Sequence, residues 1–323
     1  MAKEIRVDVK ENKILEMDAS LLSILLKDNS SGKNLIWATD NYAQKGFGYG
    51  KKDHIDIYAI TGTNGNLIKP RTEKTKQEQL SRVRDKAEVF TPSWICNAQN
   101  NLIDNAWFER ENVFNTETEK GWIVSKSKIV FPDGKTWQDY VKENRLEITC
   151  GEAPYLVSRY DTVTGKEIPL KERIGLLDRK LRVVSENVDS EPDWIEWTKT
   201  AFKSVYGFDW QGDNVLLARE NLLRTFIDYY TDKFGSSPII EYLLDFAEII
   251  SWNIWQMDGL KYVIPNSCQF VDETIYTLFG EEHRKVECEG CKTNNPNKHN
   301  GIYCYIMDWS TNKRVKFVSL IKR

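Results

Sequence analysis

The chain has 323 residues, 41% of them hydrophobic and 29% charged, with a formal net charge of −3. That suffices for one large α/β domain with additions, and the near balance of charge excludes a disordered polyelectrolyte and a wholly basic nucleic-acid coat. No run of 18 apolar residues and no charged-then-apolar leader occurs, so a cytoplasmic protein without membrane contact is expected; six scattered cysteines do not read as a secreted disulfide framework.

In chain order, a strand-like piece at residues 5–9 precedes a predicted helix near 18–26, where Leu21, Leu22, Leu25 and Leu26 recur at helical spacing. Strands are predicted near 34–38 and 54–60, with glycine-rich turns at 46–50 and 63–65. Residues 1–80 read as a small N-terminal α+β unit ending in a basic helix after Pro70. Lys69, Arg71, Lys74, Lys76, Arg82, Arg84 and Lys86 make either a solvated helix face or a phosphate-contacting surface. The span 81–280 alternates helices (93–105, 157–185, 194–204, 214–230, 239–250) with strands (145–149, 205–210, 252–255, 262–264), the pattern of a mostly parallel sheet. Gly165 and Pro169 break the charged helix 157–185, and 106–140 reads as an irregular, aromatic-rich connection. Residues 281–323 form a C-terminal extension with a predicted strand pair, 301–308 and 314–320.

The most informative stretch is 146–156, Leu-Glu-Ile-Thr-Cys-Gly-Glu-Ala-Pro-Tyr-Leu. An apolar-flanked run carries an acid, turns at a glycine and becomes apolar again, as where a buried strand hands over to a helix beside a small polar ligand. S-adenosylmethionine presents a charged amino-acid end, a ribose diol and an adenine, and a doubly wound sheet meets such ligands at the carboxyl ends of its strands. Glu147 and Gly151 stand at the first turn. Asp209 ends the second strand, where a carboxylate can accept from both ribose hydroxyls. Trp210 follows as a face for adenine, and Asp258 follows the third strand as an acceptor for the adenine amine.

On these residues the chain resembles the amino-group DNA methyltransferases in which the cofactor half precedes the catalytic half, and most of all the short bacterial modification subunits of restriction systems. The segments RDKAEVFTP, LEITCGEAPYLVSRYD, IGLLDRKLR, YGFDWQGDN and SWNIWQMDGL carry the resemblance over most of the length. It implies a Rossmann-like methyltransferase domain with a mostly parallel twisted sheet, S-adenosylmethionine as cofactor, and DNA and a restriction-system subunit as partners. In that family a Phe/Tyr-Thr-Pro segment binds the methionine end of the cofactor, and Phe90, Thr91 and Pro92 match it. The family's turn reads Asp-Pro-x-Cys-Gly-x-Gly. Cys150 and Gly151 match directly, while Glu147 replaces the Asp, Ile148 the Pro and Ala153 the second Gly. Asp209 and Asp258 match the ribose and adenine acids.

Two departures stand out. Glu147 and Asp209 are 62 positions apart, which requires an insertion such as 157–195. The family's Asn/Asp/Ser-Pro-Pro-Tyr/Phe signature, which orients the exocyclic amine and stacks the flipped base, has no counterpart. At the expected place stand Ile264-Pro265-Asn266-Ser267, where Pro265 can offer its carbonyl and Asn266 its amide, with Tyr262 or Phe270 to stack. The same residues also read as an ordinary strand-to-loop turn.

Near the C-terminus, Cys288, Cys291, His299 and Cys304 follow a C-x2-C-x7-H-x4-C spacing. The first pair resembles a zinc knuckle, and four such ligands would close a structural site; reduced cysteines in a hairpin are the alternative. Beyond it Lys313, Arg314, Lys316, Lys322 and Arg323 interleave with Tyr303, Tyr305, Trp309 and Phe317, either as a solvated hairpin or as a second phosphate-contacting patch. Two functions are therefore expected: a DNA methyltransferase acting on adenine N6, or a catalytically degenerate methyltransferase-fold protein that binds DNA or interferes with a defence system.

Overall fold

The computed structural model describes residues 10–86, 88, 90–277 and 280–321. The strand expected at 5–9, Val89 of the Glu88–Pro92 segment, and Lys322 and Arg323 of the basic tail lie outside the described residues. The architecture is mixed α/β, and among the described residues no helix is long and apolar enough to cross a membrane.

The N-terminal helices are α1 (Glu11–Met17) and α2 (Ala19–Leu26). The Asp18 side chain accepts from the Ser20 amide and starts α2, and the four leucines of α2 are fully buried. They share one core with residues of the later helices, and each contributes about 2 kcal/mol by burial. Short strands β1 (Lys27–Asp28) and β2 (Lys33–Asn34) follow. The strand expected at 34–38 is reduced to a bridge between Ile36 and His54. The strand expected at 54–60 is instead helix α3 (Ile57–Ile60), because the Asp56 carboxylate accepts from the Tyr58 amide and caps it. The basic helix is α4 (Lys76–Lys86), and α5 (Ser93–Phe108) follows Pro92.

The connection expected to be irregular contains a hairpin, β3 (Asn115–Thr118) and β4 (Gly121–Val124), and helix α6 (Trp137–Lys142), which a Thr136/Asp139 capping box starts. Then comes a parallel unit. β5 (Arg145–Ile148), β6 (Val205–Asp209) and β7 (Ile254–Gln256) lie side by side in that order, with Glu147 opposite Gly207 and Asp209 opposite Gln256. Helices α7 (Leu176–Asn187) and α8 (Glu191–Lys203) cross from β5 to β6; α9 (Gly212–Phe234) and α10 (Ile240–Asn253) cross from β6 to β7.

Residues 157–175 are not the first half of a helix. Tyr160 bridges Glu167, and Asp161 accepts from the Val163 and Thr164 amides to hold a turn. Nor are the charges of α7 a solvated face: Asp178, Arg179 and Lys180 are buried. Arg179 pairs with Asp104 at 2.6 Å and donates to Asn97 and Asn101, while Lys180 donates to Val141 O and the Ser204 hydroxyl.

After β7 the chain makes a long hairpin, β8 (Val271–Thr277) and β9 (Gly280–Val286). A one-turn helix α11 (Glu289–Thr293) and the pair β10 (Tyr305–Asp308) and β11 (Lys313–Lys316) complete the structure. Ile306 and Phe317 pack with Phe208, Trp255 and Met257, in a second core cluster. Two of the tail's cations lie over its own aromatics, Arg314 over Tyr305 at 4.6 Å and Lys316 over Tyr303 at 3.5 Å.

Candidate functional site

The carboxyl ends of β5 and β6 open into a cavity of about 970 Å³. Of the residues expected to hold a cofactor, it is lined by Phe90, Thr91, Glu147, Cys150, Gly151, Asp209 and Trp210. The turn after β5 is tightly wound: Thr149, Gly151 and Ala153 all have left-handed backbones, at φ +51°, +53° and +61°. Ala153 holds this conformation at the position where the resembling family has its second glycine.

Acids fix the turn from both sides. Glu147 accepts from the Tyr155 amide at 3.3 Å and the Leu156 amide at 3.1 Å, which folds the chain back over β5. Asp209 accepts from the Gly151 amide at 3.0 Å and the Gln211 amide at 2.9 Å, so one carboxylate joins the first turn to the start of α9. Burial pushes the Glu147 carboxyl up to about 8, with nearby Asp209 adding to the rise, against the lowering by its two amide donors. Burial likewise raises Asp209 to about 6, against the Gln211 and Gly151 amides.

Glu88 comes in from the segment after α4. Its Oε2 accepts from Gln211 Nε2 at 2.7 Å and from Arg82 at 3.0 Å. Arg82 also bonds Asp213 and, at 2.9 Å, the Tyr42 hydroxyl. This cation is therefore an internal clamp and unavailable to phosphate. Glu88, Asn100 and Asn214 belong to the cavity lining, and among the described residues the atoms Glu88 Oε1, Asn100 Oδ1 and Asn214 Oδ1 are buried without a hydrogen-bond partner. Sequence reasoning missed Asn100 and Asn214, since each looks like an ordinary polar position on a helix.

The other expected residues are placed differently. Pro92 sits at the N-cap of α5, outside the cavity lining. Asp258 does not reach the cavity; it accepts from the Leu260 and Lys261 amides and closes a turn beside a smaller cavity of about 180 Å³. Pro265 is buried and lines a third cavity, of about 230 Å³. Asn266 does line the large cavity, with a left-handed backbone at φ +59°. Its Nδ2 donates to Ala38 O at 3.0 Å and Lys51 O at 3.3 Å, which leaves Oδ1 as its free acceptor among the described residues.

The cysteine cluster differs from expectation in one ligand. Cys268, Cys288, Cys291 and His299 bring their ligand atoms within 4.8 Å of one another and could hold a metal ion. His299 Nδ1 stands 3.7 Å from each of the three sulfurs. A tetrahedral zinc site with ordinary Zn–S and Zn–N bonds has an N···S edge of about 3.6 Å, so the group fits such an ion. Cys304 is excluded: just before β10, its buried thiol turns to β7 and donates to Gln256 O at 3.3 Å. The β8–β9 hairpin folds back on itself and sets Cys268 beside Cys288 instead. Gly290 makes room for the knuckle, since a Cβ there would lie 2.5 Å from the His299 amide nitrogen. Although burial pushes the Cys288 thiol up, the Asn300 and Cys291 amides and His299 bring it down to about 6.

The chain matches no family model, no curated protein and no solved structure. Function therefore rests on the geometry of these two sites.

Proposed function

We propose that this chain is an S-adenosylmethionine-dependent methyltransferase acting on an exocyclic amine of DNA, adenine N6 foremost, as the modification component of a restriction-type system. The observation that carries this reading is the acceptor-rich cavity wall. The carboxylate of Asp209, the carboxyl of Glu147 and the Asn266 Oδ1 belong to residues of this wall, and behind it Glu88 Oε1, Asn100 Oδ1 and Asn214 Oδ1 are buried without a donor among the described residues. Such a wall suits a ligand that is cationic and rich in N–H and O–H groups, from which the Asp209 carboxylate and the Asn266 amide oxygen can accept. S-adenosylmethionine brings an ammonium, a sulfonium, a ribose diol and an adenine amine.

When bound, the cofactor supplies the transferable methyl group. Asp209 would take the ribose hydroxyls, the charge of Glu88 would favour the ammonium, and the Trp210 ring would take the adenine face. Asn266 Oδ1 would accept a hydrogen bond from the target amine, standing in for the missing signature. We further assign zinc to the Cys268/Cys288/Cys291/His299 group, as a closed structural site. Transfer of labelled methyl from S-adenosylmethionine to DNA tests the activity; Asn266→Ala should reduce it at least tenfold, about 1.4 kcal/mol of barrier. A second reading keeps the cavity without the chemistry, favoured by the absence of the proline pair: cofactor binding with no transfer to any DNA would select it.

A further inference from the structure

The Cys268/Cys288/Cys291/His299 group lies directly behind the wall of the large cavity. Cys268 is two positions after Asn266. Asn266 Nδ2 holds the carbonyls of Ala38 and Lys51, and both of these residues line the large cavity. Trp210 donates its indole N–H to the same Ala38 carbonyl, at 3.3 Å. Trp210 and Asn266 line the large cavity on one side; on the other they bound the smaller cavity together with Cys268, Cys288 and Cys291.

The loop that carries Asn266 is tied to the segment that follows His299. Ile264 N donates to Ile302 O at 2.8 Å, and Ile302 N donates to the Ser267 hydroxyl at 3.0 Å. Gln269 and Asn300 exchange two bonds, at 2.9 and 3.0 Å. A contiguous set of hydrogen bonds therefore runs from the cysteine group to Ala38.

From this juxtaposition we infer that the metal site is a positioning element for the cavity: an ion held through Cys268 fixes the Asn266 loop, and through it the Ala38–Trp210 wall. Cys288, Cys291 and His299 belong to one compact knuckle and can stay together without Cys268. Cys268 stands at the other end of the β8–β9 hairpin, 20 positions before Cys288 and next to the Asn266 loop, so its departure is the one that loosens Asn266. An ion that binds only the assembled group stabilises the assembled wall, and by linkage any ligand that needs that wall strengthens retention of the ion. The inference goes beyond the proposed activity and does not depend on which ligand the cavity takes.

The test is hydrogen exchange on the full chain, zinc-loaded and after chelation. Chelation should raise exchange about tenfold in amides of 36–40 and 208–212, and leave β3 and β4 unchanged. Cys268→Ser in the presence of zinc should reproduce that pattern, while Cys304→Ser should behave as the parent chain does. Changes confined to 262–304, or a native chain that holds no zinc, would overturn the inference. The chelation arm stands on its own if the Cys268 variant does not fold.

Discussion

Replacing Glu147 by Gln keeps the side chain's length and removes its titration. Burial holds this carboxyl at about 8, against an ordinary value of 4.5, so the folded state keeps a proton that the unfolded chain has released. Its contribution to stability is fully present below the unfolded value and is lost as pH rises through the folded one. At about 1.4 kcal/mol per pH unit, the interval from pH 6.5 to 8 removes roughly 2 kcal/mol from the parent chain. The Gln variant should start lower, by about 1–2 kcal/mol, since its amide offers one acceptor to the two backbone donors of Tyr155 and Leu156. It should then stay flat, so the two stabilities converge toward pH 8. Urea unfolding at matched ionic strength measures both. A Gln variant with the parent's slope over this interval would refute the assignment of that proton to Glu147.

Metal content separates the two candidate fourth ligands: Cys268→Ser should lose tightly held zinc, and Cys304→Ser should retain one equivalent. Because the ion binds only the folded group, the parent's melting temperature should rise with free zinc and that of Cys268→Ser should rise far less. Arg82→Ala strands Glu88 and Asp213 as unpaired buried carboxylates and should cost roughly 3–5 kcal/mol in chemical denaturation; a cost below 1 kcal/mol would mean that the clamp is not formed. With Asp209 held at about 6, affinity for S-adenosylmethionine should fall about tenfold per pH unit below that value and level off above it; calorimetry from pH 5 to 7.5 reads the break.

The parallel unit was legible because its strands are short apolar runs that end at an acid or a turn. Val205–Asp209 and the helices on either side fall within a few residues of the periodicity reading. Misreadings occurred where side chains compete with the backbone pattern. Ile57 and Tyr58 favour strand by propensity, but the Asp56 cap and the helical turn it starts win. Residues 157–175 read as part of a charged helix with a break at Gly165 and Pro169, yet they form turns, with Arg159 and Arg173 packed against Asp228 at 3.7 and 2.7 Å. Sequence periodicity does not show which charges find partners across the fold.

The metal group failed in one residue for a related reason. Cys304 is close to His299 in sequence, whereas Cys268 is close in space only once the β8–β9 hairpin has formed. The alternation in Val271-Asp-Glu-Thr-Ile-Tyr-Thr, closed by Gly280, was the available signal.

One titration bears most directly on the whole account: S-adenosylmethionine into the zinc-loaded chain at pH 7.5, beside the Asp209→Asn variant. Saturable binding of one equivalent is expected, weakened by the variant about thirtyfold or more through loss of a charged acceptor worth roughly 2 kcal/mol, while the fold loses about 1–2 kcal/mol because one amide oxygen then serves the Gly151 and Gln211 amides. No binding to the folded parent chain, or equal affinity in the variant, would contradict it.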